Sequence, residues 1–179
     1  MNWIQKIIDS NDRLGDSPQQ ADIYKFKLNN EWLVLKIYRM WENNASMILP
    51  LLDHPNICKC YGTGRYKNRE WLILEYLEGQ NVDQQGFLTE EQTQQLCSIL
   101  AYLKEKGVKH HEFKPEHLII VNGVLKLIDF GMASTPEYPL KVSMQNLEIN
   151  KEYGTDDDEA VQKIIKKYGL LIASLKKEN

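Results

Sequence analysis

The sequence has little cysteine, no long hydrophobic run and almost no excess of charge, and each absence excludes a class of protein. Its three cysteines, Cys58, Cys60 and Cys97, form an odd and sparse set, which argues against the disulfide framework of a small secreted domain. The longest apolar run covers about five residues, 48–52, far fewer than the ~20 that a membrane-spanning helix needs. The 22 basic and 25 acidic residues give a formal net charge of −3, so we expect no binding to nucleic acid or to an anionic membrane.

The amino-terminal residues also lack the basic start and apolar stretch of a signal peptide, and we therefore expect a cytoplasmic protein. A chain of 179 residues, of which 42% are hydrophobic and 26% charged, has the composition of one soluble globular domain. At this length folding buries about 70% of the unfolded surface, which allows a full hydrophobic core.

The first half of the sequence is predicted to consist mostly of strands. Four segments are rich in aromatic and branched residues: 21–26, 32–38, 57–61 and 71–76. Between the first two lies Leu28-Asn29-Asn30-Glu31, whose asparagines favour a hairpin turn. Residues 41–52 favour a helix, which Pro50 is expected to kink or end.

The second half is predicted to be mainly helical. Residues 90–106 show the helical period, with Gly107 at the end of the predicted helix. Asn122-Gly123 predicts a tight hairpin between two short strands, and residues 131–154 are interpreted as a loop. A last helix is predicted to begin at Thr155, which stands in capping-box spacing with Asp158, and to keep its apolar face as far as Leu175.

Charged residues gather around the Asn-Gly hairpin. The segment His110-His111-Glu112-Phe113-Lys114-Pro115-Glu116-His117 precedes it, and Asp129-Phe130-Gly131 follows it. With three segments of the first half, these two resemble the motifs of the protein-kinase fold. The three are Leu33-Val34-Leu35-Lys36, Asp53-His54-Pro55-Asn56-Ile57 and Leu72-Ile73-Leu74-Glu75-Tyr76-Leu77-Glu78-Gly79. The resemblance implies a single bilobal α+β domain, with an antiparallel sheet and one helix in an N-lobe (1–77) and a reduced helical C-lobe (78–179).

The resemblance also implies a nucleotide site for ATP and Mg²⁺. Phosphoryl transfer requires that a protein position the reactants and neutralise the charge of the phosphates. Lys36 would bind the α- and β-phosphates, and Asp129 would bind Mg²⁺. The hinge would offer the carbonyl of Glu75 and the amide of Leu77 to adenine. The family lysine pairs with a carboxylate on the following helix, where Glu42 is the only candidate. A count back from His54, however, places that position near Ala45.

Residues 110–117 resemble the family's catalytic loop, with two departures. Lys114 resembles the lysine that serine/threonine kinases place near the γ-phosphate, and His110 the histidine that packs under the Phe130 position. Glu112 stands where the family has its catalytic aspartate and adds one methylene. His117 stands where an asparagine coordinates a second Mg²⁺, for which imidazole is a poor ligand. The lipopolysaccharide heptose kinases also carry histidine here.

The remaining parts resemble a shortened kinase. The segment 14–21 keeps one glycine, Gly15, where the family's phosphate loop has three. Residues 157–175 resemble the central C-lobe helix, whose aspartate, here Asp157, anchors the catalytic loop. The family's peptide-docking helices are therefore expected to be absent. Small kinases of this kind occur among tRNA-modification kinases and among bacterial effectors secreted into hosts, so delivery into a host cell is an alternative location.

Three hypotheses therefore stay open. The first is a phosphotransferase that moves the γ-phosphate of ATP to a hydroxyl of serine, threonine or a small molecule, with Glu112 and Lys114 as catalytic residues. The second is a pseudokinase that binds a protein partner. The third is a switch that binds ATP without turnover. The short C-lobe also predicts a protein partner or a non-peptide acceptor.

Overall fold

The computed structural model describes residues 3–10, 13–14, 21–39, 43–140 and 152–170. A four-stranded antiparallel sheet forms the N-lobe, in the order β1-β2-β4-β3. Its strands are β1 (Ala21–Leu28), β2 (Glu31–Tyr38), β3 (Cys60–Tyr66) and β4 (Arg69–Glu75). The α+β kinase-like architecture predicted from the motifs is confirmed by this sheet and by the helices that follow it.

Two hairpins in this sheet turn on pairs of residues with positive φ. The predicted turn between β1 and β2 is confirmed, with φ of 49° at Asn29 and 68° at Asn30. Lys67 and Asn68 do the same between β3 and β4, with φ of 48° and 62°. Such left-handed pairs match the right-handed twist of the flanking strands. They set the register of β1 against β2 and of β3 against β4.

The strand predicted at 57–61 is wrong in its position, because β3 begins only at Cys60. The backbone before it bonds elsewhere: the amide of Cys58 donates to the carbonyl of Leu127 at 2.9 Å. The amide of Leu127 in turn donates to the carbonyl of Asn56 at 2.8 Å. Residues 56–58 are therefore paired with the second sheet and not with the N-lobe strands.

A helix that the sequence analysis did not predict, α1 (Trp3–Asp9), covers the outer face of the four-stranded sheet. Ile4 is buried there against Leu35 and Ile37 of β2. Trp3 packs edge-on against Trp71 of β4, with ring centroids 5.3 Å apart. The opposite face of the sheet is left to form the wall of a cleft.

The helix predicted at 41–52 is shorter than expected. Only Ala45–Ile48 (α2) is α-helical, and a 3₁₀ turn, Leu49–Leu51, follows it directly. Pro50 stands within that turn, where its missing N–H cannot extend an α-helical ladder. Residues 41 and 42, including the candidate Glu42, lie outside the described residues.

The second part of the fold combines a three-stranded sheet with helices. Its elements are β5 (Gln80–Asn81), α3 (Val82–Gln85), α4 (Glu90–Glu105), β6 (Leu118–Val121), β7 (Val124–Leu127) and α5 (Asp157–Tyr168). Two further 3₁₀ turns lie at Pro115–His117 and Phe130–Met132. The order of the sheet is β5-β6-β7.

The capping signals of the helices were partly right. The predicted helix over 90–106 is confirmed as α4, which Thr89 caps together with Gln92, and Gly107 follows it with φ of 65°. The capping box predicted at Thr155 is wrong, because the side chain of Asp156 accepts the amide of Glu159 at 3.0 Å and starts α5 there. The helix ends at Tyr168, and the rest of the predicted apolar face, to Leu175, lies outside the described residues.

One large hydrophobic cluster runs from the cleft side of the N-lobe through α4 and α5. It includes Leu72 of β4, Leu96 and Leu103 of α4, and Ile164 of α5, all almost fully buried. Packing of this kind holds the two sheets against each other. In the part of the chain that the structure describes, no helix is both long and apolar enough to cross a bilayer.

Candidate active site

A cleft of about 230 Å³ lies between the four-stranded sheet and the β6–β7 hairpin. Ile23, Val34 and Leu74 form its N-lobe wall, and Ile119 and Ile128 form the opposite wall. Four residues predicted for the nucleotide site also line it: Lys36, Glu75, Leu77 and Asp129. The cleft is therefore apolar along its length and charged where Lys36 and Asp129 meet.

Lys36 points into the cleft because it lies two residues beyond Val34 on β2, and alternate residues of a strand share a face. Its Nζ lies 2.6 Å from Oδ1 of Asp129, and only 7% of the residue is exposed. Burial alone would lower the pKa of Lys36 and raise that of Asp129. The opposite charges outweigh burial, so the pKa of Lys36 is raised and that of Asp129 is held below its usual range.

Asp129 occupies a left-handed backbone conformation, with φ of 61° and ψ of 72°. This conformation is uncommon for a residue other than glycine and turns the chain sharply after β7. The carboxylate accepts the amide of Gly131 at 3.3 Å, which stabilises the turn. Phe130 then enters the core, where it is 1% exposed.

His110 has the structural position that the sequence predicted. It is fully buried and packs edge-on against Phe130, with ring centroids 4.7 Å apart. Its Nε2 donates to the carbonyl of Ile128 at 3.1 Å, and its Nδ1 accepts the amide of Glu112 at 3.3 Å. Burial lowers the pKa of His110 to about 4, so the ring is neutral at pH 7 and ties the loop 110–117 to the residues before Asp129.

The predicted anchor of this loop is also present. The carboxylate of Asp157 accepts the amides of His110 at 2.7 Å and His111 at 2.8 Å. His111 has a φ of 63°, and its Nε2 lies 2.7 Å from Oγ of Ser134. The first turn of α5 thus fixes the backbone from which Glu112 projects.

Glu112 and Lys114 form an ion pair beside the cleft. Nζ of Lys114 donates to Oε1 of Glu112 at 2.9 Å, and Glu112 is only 6% exposed. Burial raises the pKa of Glu112, and the charge of Lys114 opposes that rise. The net effect is a carboxylate with a greater affinity for protons than an exposed glutamate has.

His117 connects this pair to Asp129. Its Nδ1 lies 3.0 Å from the carbonyl oxygen of Glu112, and because a carbonyl can only accept, Nδ1 carries the proton. Burial lowers the pKa of His117 to about 4, so the neutral ring has a lone pair on Nε2. That nitrogen lies 3.8 Å from Oδ2 of Asp129, too far for a direct hydrogen bond.

The hinge side of the cleft is stabilised by a third ion pair. Lys126 of β7 lies 2.9 Å from Oε1 of Glu75, which also accepts the amide of Lys59 at 2.7 Å. The side chain of Glu75 is therefore engaged by its neighbours.

Asn44, the residue that precedes α2, belongs to none of the motifs recognised in the sequence. Its buried Nδ2 lies 3.2 Å from the carbonyl of Ala133 and 3.1 Å from those of Tyr138 and Pro139. An asparagine before a short helix signals a cap, but no local pattern reveals carbonyl partners some 90 residues away. Asn44 thus joins α2 to the segment 133–139 that follows Gly131.

The comparisons with known proteins agree with this geometry. A family model of the protein kinase domain matches residues 34–157. The MAP kinase kinase kinase SSK2 of Saccharomyces cerevisiae is 35% identical over 127 residues, which cover 66% of this chain and 8% of that protein. The serine/threonine-protein kinase SSK22 of the same yeast is 30% identical over 122 residues, or 63% of this chain and 9% of that protein.

A plant relative is similar over a shorter region. The CBL-interacting protein kinase 21 of rice is 33% identical over 98 residues, which cover 50% of this chain and 19% of that protein. The chain thus spans less than a fifth of the length of each of these three relatives. The family match covers the strand of Lys36, the loop 110–117 and the turn at Asp129, and the chain belongs to the protein kinase domain family.

Proposed function

We propose that this protein is a phosphotransferase that moves the γ-phosphate of ATP to a hydroxyl group of serine, threonine or a small molecule. The observation that carries the proposal is the buried Lys36–Asp129 ion pair, which stands at the end of an apolar cleft and beside Glu112. An apolar cleft suits a purine, and a buried cation suits the phosphates attached to it.

The nucleotide would occupy the cleft along its length. Adenine would lie between the apolar walls, with the carbonyl of Glu75 and the amide of Leu77 as hydrogen-bond partners at the hinge. The engagement of the Glu75 side chain by Lys126 supports this role, because it keeps that carboxylate away from the base. Lys36 would then meet the α- and β-phosphates.

A divalent cation would be held by Asp129, with His117 as a second ligand. The carboxylate of Asp129 fits Mg²⁺, which prefers oxygen ligands, whereas Nε2 of His117, 3.8 Å from that carboxylate, is the weaker of the two ligands because imidazole suits this ion poorly. Among the described residues no group of three or more His, Cys, Asp or Glu side chains could hold a metal ion, so phosphate oxygens and water would supply the other ligands. When bound, Mg²⁺ neutralises phosphate charge.

Glu112 is proposed as the general base for the acceptor hydroxyl, and Lys114 as the cation near the transferred phosphoryl group. The raised pKa of Glu112 supports the role, because a base works best when its pKa approaches the working pH. His110 and His117 hold the backbone of Glu112 from both sides, through its amide and its carbonyl. These two hydrogen bonds fix the backbone of Glu112, and they do not depend on the ion pair between its side chain and Lys114.

The ion pairs also favour a second candidate function, that of a pseudokinase. Lys36 is paired with Asp129 and Lys114 with Glu112, so both cations and both carboxylates are already neutralised. A protein in which these pairs never open would use the kinase fold to bind a protein partner. A nucleotide-dependent switch would open the first pair and not the second.

We further propose that the chain is one domain with its lobe boundary near Leu77, and that it acts in the cytoplasm. The hydrophobic cluster shared by both sheets supports a single domain. A protein partner or protein substrate is proposed because the relatives include kinases named for their interaction with another protein.

Thermal unfolding with ATP, with and without Mg²⁺, tests the nucleotide site. A ligand at about 100 times its dissociation constant stabilises by about 2.7 kcal/mol, which for this length raises the Tm by about 5–11 °C. We expect a shift that depends on Mg²⁺ and that Asp129→Asn abolishes. A shift without metal would favour the switch, and the absence of any shift would favour the pseudokinase.

Phosphoryl transfer to a hydroxyl acceptor tests the proposed base. Glu112→Ala is expected to abolish transfer while the nucleotide-dependent Tm shift remains. Glu112→Asp restores the family's usual side-chain length and is expected to raise the rate, since a base displaced by about 1 Å costs on the order of a hundredfold. Transfer that is unchanged in Glu112→Ala would contradict the assignment.

A further inference from the structure

Tyr38, at the end of β2, forms a second contact with the ammonium group of Lys36. The two residues share a face of the strand, and Nζ of Lys36 lies over the ring of Tyr38, 4.9 Å from its centroid. Tyr38 is only 4% exposed. The ring of Tyr38 also lies close to Gly131, in the turn after Asp129. A Cβ built on Gly131 would be 3.7 Å from Cε1 and 4.0 Å from the hydroxyl oxygen of Tyr38.

Besides an ion-pair partner, Lys36 has an uncharged one in Tyr38. Within the described residues its ion-pair partner is Asp129, whose charge cancels the attraction that the ammonium would offer to a phosphate. Helix α2 has the sequence Ala-Ser-Met-Ile and contains no carboxylate. An aromatic face attracts a cation through its quadrupole and leaves the net charge of the ammonium intact.

We propose that Tyr38 is a positioning residue of the nucleotide site, whose aromatic ring holds the Lys36 ammonium at the phosphate end of the cleft. This inference rests on the proposed function, because it assigns Tyr38 a role only if phosphates bind at Lys36. Tyr38 touches no substrate itself and acts through Lys36.

The burial of Tyr38 supports this role. A cation–π contact is strongest where water is excluded, and both partners here are less than a tenth exposed. Burial also raises the pKa of the Tyr38 hydroxyl, despite the opposing effect of Lys36, so the side chain is neutral at physiological pH. Loss of a desolvated cation–π contact is expected to weaken nucleotide binding about tenfold.

The test compares the affinities of ATP with Mg²⁺ and of adenosine, measured by titration calorimetry. Tyr38→Leu fills the core but has no aromatic face, and it is expected to bind ATP about tenfold more weakly than the wild type. Tyr38→Phe keeps the ring and loses only the hydroxyl, which also interacts with Lys36, so it is expected to bind ATP more tightly than Tyr38→Leu. Adenosine has no phosphates, so its affinity should be the same in all three proteins.

Tyr66→Leu and Tyr66→Phe are the matched controls, because Tyr66 packs against the cluster on the outer face of the same sheet. We expect both to bind ATP like the wild type. If Tyr38→Leu does not fold, Tyr38→Met replaces the ring with a flexible side chain of similar length and takes its place.

Two results would overturn the inference while leaving the proposed function intact: wild-type ATP affinity in Tyr38→Leu, or equal losses of ATP and adenosine affinity. The second would indicate a structural role for the ring and no role through Lys36. Failure of the wild-type protein itself to bind ATP would refute the proposed function, and the role of Tyr38 with it.

Discussion

Replacing Asp157 with alanine would remove the two acceptors that hold the backbone of the loop 110–117. The carboxylate accepts the amides of His110 and His111, and the first of these residues is fully buried. Without Asp157 the amides of His110 and His111 lose their charged acceptor, and His111 itself has a left-handed backbone conformation. The loop would then have to rearrange or leave these donors unsatisfied.

The cost follows from the hydrogen bonds that are lost. A hydrogen bond to a charged group contributes about 1.5–3 kcal/mol, and because Asp157 is only partly buried, water compensates some of the loss. We therefore take the lower limit for each bond and expect Asp157→Ala to destabilise by about 3 kcal/mol. For a domain of this length that lowers the Tm by about 6–12 °C. Asp157→Asn keeps one acceptor oxygen and should lose about half as much.

Thermal unfolding of the two variants beside Asp158→Ala checks this prediction. Asp158 is also in the first turn of α5 but forms an exposed ion pair with Lys104, which is worth only about 0–1 kcal/mol. Both aspartates act similarly on the helix dipole, so the difference between the alanine variants isolates the loop anchor. Equal Tm values for Asp157→Ala and Asp158→Ala would refute the reasoning.

Two further predictions concern packing and pH. A Cβ on Gly79 would lie 2.1 Å from the carbonyl oxygen of Ile120, so Gly79→Ala should lower the urea midpoint by the equivalent of about 1–3 kcal/mol. In the control Gly62→Ala the nearest atom would be 3.9 Å from the added Cβ, and the midpoint should change little. Similar midpoints for the two variants would show that the predicted clash at Gly79 does not occur. The folded-state pKa of His110 lies near 4, below its ordinary 6.5, so its contribution to stability is complete above pH 6.5 and is lost as the pH falls towards 4, by up to about 1.4 kcal/mol per pH unit. Urea unfolding across this range should show a shallower dependence in His110→Gln, and an unchanged slope would argue against a buried neutral imidazole.

Local signals predicted the turns and the longer helix well. Asn29-Asn30 and Asn122-Gly123 specify tight hairpins because both residues of each pair tolerate positive φ. The helical period over residues 90–106 and the glycine at 107 predicted the bounds of α4 to within one residue. These signals depend on neighbours along the chain, which a sequence displays directly.

Contacts between distant segments were predicted less well. The strand expected at 57–61 fails because the backbone of Asn56 and Cys58 pairs with Leu127, a partner about 70 residues away. The motifs placed Lys36 and Asp129 in one site, but their direct ion pair spans 93 positions and appears only once the lobes are packed. Asn44 was missed for the same reason, since the carbonyl groups that it contacts follow Asp129.

The pairing of residues 56–58 with β7 has a mechanical consequence. The lobes are joined by the chain after Glu75 and, separately, by the backbone hydrogen bonds between Cys58 and Leu127. The ion pair between Glu75 and Lys126 lies beside these bonds. These two backbone attachments are adjacent, since the amide of Glu75 donates to the carbonyl of Lys59, the residue after Cys58, and we expect the line through them to be the axis about which one lobe rotates against the other. Opening would therefore be a rotation about that line, with the largest displacement at the phosphate end and almost none where adenine is proposed to bind.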